Sequence, residues 1–192
     1  MDAMTMFLKR IGVPSVFLVL LGCGDAAIGE VADADSISNY REYSTMFASS
    51  GQPDADQLAA IKEGGYERII YLAFSDQHSS LAEEDRIVSD LGMDYVHIPV
   101  IWDGPKKNRF AVFAAVMEQG SDIKTLVHCQ VNYRASVFSL LYRVIYKDVA
   151  LEDAKEDMNS VWAPNETWRQ FIFDVLEDNG IDADCDVCDW DV

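Results

Sequence analysis

The residues of this chain best suited to chemistry lie together in Val127-His128-Cys129-Gln130-Val131-Asn132-Tyr133-Arg134-Ala135-Ser136. A strand-like run, Ile123-Lys124-Thr125-Leu126-Val127-His128, leads into the segment, and an apolar helical pattern from Ala135 to Tyr146 leads out. A cysteine at such a junction sits where backbone N–H groups and the positive end of a helix dipole converge. The turn is then an anion site with a nucleophile in its floor, and the same field favours the thiolate form of Cys129. Arg134 at the rim supplies a guanidinium able to clasp an oxyanion through two parallel hydrogen bonds. A phosphate monoester is the anion that this turn suits.

The flanking pattern predicts the scaffold that must hold the turn. Asp54 is placed to cap a helix through residues 57–62, which ends at Gly64-Gly65. A strand over Glu67–Leu72 follows, then a helix from about Leu81 to Leu91 ended by Gly92, then a strand over Tyr95–Val100 closed by Pro99. The loop Ile101-Trp102-Asp103-Gly104-Pro105 leads to a helix from about Asn108 to Gln119, and helices over 151–160 and 165–176 finish the domain. Strands separated by helical patterns imply an α/β fold, with a central, mostly parallel sheet flanked by helices. In such sheets the chemistry sits beyond the carboxyl ends of the strands.

Composition narrows the function classes. The chain has 192 residues, 49% of them hydrophobic and 25% charged, which fits a globular domain. Its 15 Lys+Arg against 33 Asp+Glu give a formal charge of -18, a surface that repels nucleic acid. Residues 1–38 read as a leader and polar tether: a short basic start at Lys9 and Arg10, an apolar run from Ile11 to Gly22, then Cys23. Leu20-Leu21-Gly22-Cys23 resembles a bacterial lipobox, which implies export to the periplasm or the envelope surface and a lipid anchor through Cys23. Residues 39–178 form the expected domain. Residues 179–192 form an acidic tail, expected to be solvated, whose Cys185 and Cys188 can close a small disulfide but are assigned no chemistry. The sequence sets no oligomeric state and implies no metal or other cofactor.

The His-Cys-to-Arg loop resembles that of cysteine-dependent protein tyrosine and dual-specificity phosphatases. Ser50-Gly51-Gln52-Pro53, the strand ending Ile98-Pro99-Val100 and the loop holding Asp103 are similar to a bacterial branch of that superfamily, over roughly residues 40–176. The resemblance implies a dual-specificity-phosphatase-like fold and hydrolysis of a phosphate monoester, on a phosphoprotein or a small ester, through a phosphocysteine intermediate. Cys129 would attack phosphorus, Asp103 would protonate the leaving oxygen, and Gln130, Val131, Asn132, Tyr133 and Ala135 would line the phosphate cradle with Arg134. His128 would order the loop from the strand end, and Ser136 would donate to the Cys129 sulfur. Lys106, Lys107 and Arg109 form a basic island beside Asp103 that either attracts an anionic substrate or is a solvated loop face.

The chain departs from the superfamily pattern of Cys-x5-Arg: Cys129 and Arg134 have four residues between them, and Asn132 stands for the usual loop glycine. Asn tolerates left-handed backbone better than most residues. A deletion inside the loop keeps Arg134 in role, whereas an ungapped match puts Ala135 in the arginine position and Ser136 in the hydroxyl position. The deletion is preferred, because only Arg134 supplies a cation. The shorter loop keeps open a second reading, an inactive phosphatase that binds a phosphorylated ligand. A rhodanese-like sulfurtransferase also places a cysteine on such a loop, but fits Arg134 and Asp103 less well.

Overall fold

The computed structural model describes residues 36–183 together with Cys188 and Trp190. Residues 1–35 of the expected leader and tether, Cys23 among them, and Cys185 lie outside the described residues, whereas Ile37 at the tether's end is buried in the core. Eleven elements follow in order: β1 (Arg41–Ser44), β2 (Phe47–Ser50), α1 (Ala55–Glu63), β3 (Arg68–Tyr71), α2 (Glu84–Asp90), β4 (Asp94–His97), α3 (Lys107–Gln119), β5 (Thr125–His128), α4 (Tyr133–Tyr146), α5 (Leu151–Asn159) and α6 (Glu166–Asp178). The five strands form one sheet in the order β1-β2-β5-β3-β4. Only the β1–β2 hairpin is antiparallel; the other pairings are parallel.

Both faces of this sheet are covered, and the central strands show why. Ile70 and Val127 point to one side, into a core built with Phe110, Phe113, Phe138 and Trp168 from α3, α4 and α6. Their neighbours Ile69 and Leu126 point to the other, against Leu58, Ile61 and Val88 from α1 and α2. Alternation has period two, so a strand buried on both faces needs apolar residues at successive positions. The helices begin where the local chemistry dictates. Asp54 and Gln57 form a capping box for α1, and Asn165 Oδ1 accepts from the Trp168 amide to start α6.

Parallel registry brings the strand ends into one row. Ser50 pairs with His128, His128 with Tyr71, and Tyr71 with His97, the last residues of β2, β5, β3 and β4. The rings of His128 and Tyr71 stack at 4.7 Å, and those of Tyr71 and His97 at 5.2 Å. Cys129 therefore emerges from the middle of the sheet's carboxyl edge.

Two elements differ from the sequence expectation. The β1–β2 hairpin was not expected, and the described part of the acidic tail is docked rather than solvated. Trp190 packs its ring 5.1 Å from Phe173, takes a hydrogen bond from Arg169 on its carbonyl, and donates its indole N–H to Ala183 O at 2.9 Å. Covering the large apolar ring of Trp190 favours this docking. Cys188 is disulfide-bonded.

Gly51 follows β2 and admits no side chain: a Cβ there would lie 2.9 Å from Ser38 O and 3.1 Å from Gln130 O. Both neighbours are backbone, which cannot swing aside. Gly51→Ala is expected to lower stability by about 1–3 kcal/mol, as overpacking does, read as a fall in the urea midpoint. An unchanged midpoint would contradict this close approach.

Candidate functional site

The turn after β5 is held by its neighbours' backbones. Cys129 N–H donates to Ser50 O at 3.3 Å, Gln52 N–H donates to Gln130 O at 3.1 Å, and Gly51 bridges Val131. A reciprocal pair secures the far side: Asn132 Nδ2 donates to Asn39 O at 2.6 Å, and Asn39 Nδ2 donates to Val131 O at 3.0 Å. Asn132 adopts φ 70°, ψ 0°, the left-handed conformation that asparagine tolerates, and reverses the chain so that α4 starts at once. The helix thus begins at Tyr133, two residues before the expected start, and Arg134 belongs to its first turn. Apart from the Gly51–Val131 bridge, no backbone carbonyl among the described residues accepts from the N–H groups of residues 130–135. These orphaned donors lie between a fully buried Cys129 and a helix N-terminus, an arrangement able to hold an anion.

Arg134 is buried, with 7% of its surface exposed. Its Nε donates to Val100 O at 3.0 Å and its Nη1 to Gln130 Oε1 at 3.3 Å, which leaves Nη2 without a protein partner among the described residues. The guanidinium lies 5.3 Å from the Trp102 ring. Gln130 continues the chain by donating to Ser79 Oγ at 3.2 Å. Val131 is exposed, and Tyr133 stacks on Trp162 at 4.6 Å.

The Trp102 loop is tethered rather than free, because Trp168 Nε1 donates to Trp102 O at 3.0 Å and the two rings pack at 5.4 Å. Asp103 beside it is exposed and makes no hydrogen bond among the described residues. Ser136 also departs from expectation. Its hydroxyl donates to Tyr133 O at 3.0 Å and accepts from Trp162 Nε1 at 3.2 Å, so its single proton is not directed at the Cys129 sulfur. In the basic island, Lys107 pairs with Asp178 at 2.6 Å while Lys106 and Arg109 remain exposed.

Beneath the turn lies a buried polar group that the sequence did not announce. Glu84, in the first turn of α2, is 4% exposed. Its Oε1 accepts from Gln52 Nε2 at 2.7 Å, and its Oε2 accepts from Tyr95 OH at 3.2 Å. His128 Nε2 lies 3.3 Å from the same Oε1, but without hydrogen-bond alignment, and both ring nitrogens of this fully buried histidine are otherwise unpaired. The contact is not an ion pair. Burial drives His128 down to about 3, against the pull of a backbone contact to Cys129, and so keeps the ring neutral. Burial pushes Glu84 up to about 7, opposed by the Gln52 and Tyr95 hydrogen bonds and reinforced by Asp85. A cavity of about 420 Å³, lined by Tyr71, Ser75, Glu84, Tyr95 and His97 among others, opens onto this carboxyl. Among the described residues, no three His, Cys, Asp or Glu side chains are grouped to hold a metal ion.

No protein-family profile and no curated protein matches the chain. Solved structures do. A protein of Shewanella putrefaciens CN-32, described as a “Putative phosphatase (DUF442)”, is similar at 30% identity and a TM-score of 0.69, over 75% of this chain and 92% of that one. Tk-PTP in its active form is similar at 13% identity and a TM-score of 0.63, covering 72% and 97% of the two chains. TpbA of P. aeruginosa, solved in complex with phosphotyrosine, is similar at 16% identity and a TM-score of 0.52, covering 68% and 76%. The two distant matches bear on the fold alone.

The Glu84 and His128 shifts give opposite contributions to stability. Between about 4.5 and 7 the folded chain holds a proton on Glu84 that the unfolded chain releases, so this contribution falls as pH rises through that window. Between about 3 and 6.5 the unfolded chain protonates His128 while the folded chain does not, so that contribution is lost as pH falls. Glu84→Gln is therefore expected to gain on the wild type as pH rises from about 5 to 7, by at most about 1.4 kcal/mol per pH unit. Urea midpoints compared across pH would check this; a constant difference between the two proteins would contradict it.

Proposed function

The chain belongs to the DUF442 family of the cysteine-dependent tyrosine and dual-specificity phosphatase superfamily, and from that premise we propose that it hydrolyses phosphate monoesters through a phosphocysteine intermediate. The observation that carries this reading is the row of amides at residues 130–135, which, the Gly51–Val131 bridge apart, have no backbone carbonyl partner among the described residues, on a turn that also holds buried Cys129 and buried Arg134. Negative charge grows on the phosphoryl oxygens and the leaving oxygen during transfer. Preset donors aimed at that charge stabilise it without reorganising.

In this mechanism the Cys129 thiolate attacks phosphorus, the S–P bond forms and the P–O bond to the leaving group breaks. Asp103 gives its proton to the departing oxygen after the exposed loop tip folds toward the turn, pivoting on the Trp102–Trp168 tether. Water then attacks the phosphocysteine, its proton passes to the Asp103 carboxylate, and the S–P bond breaks to release inorganic phosphate and restore the thiolate. Arg134 uses its free Nη2 on the phosphoryl oxygens. The substrate class proposed is phosphotyrosine or a related ester, in line with the phosphotyrosine bound by TpbA.

A specific observation also supports a second reading, a binder that does not turn over: the loop is one residue short and Asp103 stands exposed. Hydrolysis of an aryl phosphate decides between the two. The enzyme reading expects turnover that falls by about a thousandfold or more in Cys129→Ser and by about a hundredfold or more in Arg134→Ala. Tight vanadate binding with no release of product would establish the binder instead. For Asp103→Asn, alkyl phosphates are expected to lose about 10²–10⁴ in rate, with activated aryl esters much less affected. Equal losses on both substrates would remove Asp103 from proton transfer.

A further inference from the structure

Glu84 is the only side chain described that touches both ends of the loop's support, and the phosphatase chemistry above gives it no part. Gln52, whose amide holds the loop at Gln130 O, donates its side-chain N–H to Glu84 at 2.7 Å. His128, the residue before Cys129, makes a backbone contact to Cys129, has neither ring nitrogen in an aligned hydrogen bond, and lies 3.3 Å from the same oxygen. Tyr95 fixes the other carboxyl oxygen from β4. Resting on the reading of the loop as a catalytic cradle, we propose that Glu84 is a positioning residue that shares one proton with His128 and thereby sets the hydrogen bonding of the residue next to the nucleophile.

Chemistry demands the sharing. A neutral imidazole presents one N–H and one lone pair. Facing an ionised carboxylate, Nε2 must carry the hydrogen; facing a carboxylic acid, Nε2 must present its lone pair, and the hydrogen moves to Nδ1. Each protonation state of Glu84 thus selects one tautomer of His128, in a site where an unmade hydrogen bond costs about 1–3 kcal/mol. The switch lies near neutrality, because burial holds Glu84 at about 7 while His128 stays neutral throughout. The other titratable groups around this carboxyl are Glu83 and Asp85 on the α2 side, Tyr71 on β3, and Tyr95 and His97 on β4. None of them sits against His128 Nε2 as Glu84 does. The 420 Å³ cavity on the opposite side of Glu84 gives the proton a route to solvent. Tyr71, stacked on His128, lies within electrostatic reach of Glu84, Cys129 and Arg134, so the state of the pair is felt where an anion would bind.

The test uses the full chain labelled with ¹⁵N-histidine; with only three histidines, His128 is assigned by its loss in His128→Gln. The proposal expects the His128 ring nitrogens to exchange tautomer shifts near neutral pH in the wild type, with no such transition in Glu84→Gln. It also expects Glu84→Ala to weaken vanadate binding by about tenfold or more. The pH profile of kcat/KM on an aryl phosphate should lose an inflection near neutrality in Glu84→Gln. Ring shifts that stay flat across neutrality in the wild type, or a transition that persists in Glu84→Gln, would overturn the proposal. The two readings fail separately. A wild type with the expected ring shifts and vanadate binding but no turnover removes the phosphatase and leaves the positioning role; turnover with flat ring shifts does the reverse.

Discussion

Apart from the Gly51–Val131 bridge, the N–H groups of residues 130–135 are kept from any backbone carbonyl among the described residues, and the surrounding fold is organised to keep them so. Donors without acceptors forgo hydrogen bonds that a chain would ordinarily make by closing such a turn onto itself. Here it is prevented by pinning the turn's carbonyls instead: Gln130 O to the Gln52 amide and Val131 O to Asn39. Acceptors are consumed while donors are left over. The left-handed Asn132 completes the constraint by starting α4 before the amides can pair.

The rest of the sheet's carboxyl edge serves that turn. Parallel registry aligns Ser50, His128, Tyr71 and His97, and the stacked rings fill the row beside Cys129. Two uncommon burials follow from this crowding. His128 is kept neutral by the absence of water, and Glu84 is kept near its proton by the same cause. On the other flank, Trp102, Tyr133, Trp162 and Trp168 form an aromatic wall in which the Trp168 and Trp162 indole N–H groups are spent on Trp102 O and Ser136 Oγ. The wall fixes where the Trp102 loop is rooted and leaves Asp103 at its outer tip.

Much of this was legible in the residues themselves. The apolar runs of β3 and β5 and the capping signals of α1 and α6 are local, and local signals gave the α/β alternation that the sheet bears out. The strand-cysteine-helix segment was legible for the same reason. The hairpin was not: Phe47-Ala48-Ser49-Ser50 is wholly buried, yet three of its four residues are small, so no hydrophobic pattern marks it. Glu84 was hidden in the run Glu83-Glu84-Asp85, which reads as a solvated helix start, and only the packing of α2 against β4 turns its middle member inward. Asn39 acts from ninety-two residues away, beyond the reach of any local rule. Trp190 reversed the expectation for the tail because one ring's burial is invisible to a charge count.

The central claim is that Cys129 takes the phosphoryl group. Rapid acid quenching of the protein during turnover of an aryl phosphate, followed by peptide mass spectrometry, tests it most directly. The account predicts one added phosphoryl group, confined to the peptide that carries Cys129 and accumulating further when Asp103 is replaced by Asn. Phosphate release that proceeds with no mass added to that peptide, and that continues with serine at position 129, would contradict it.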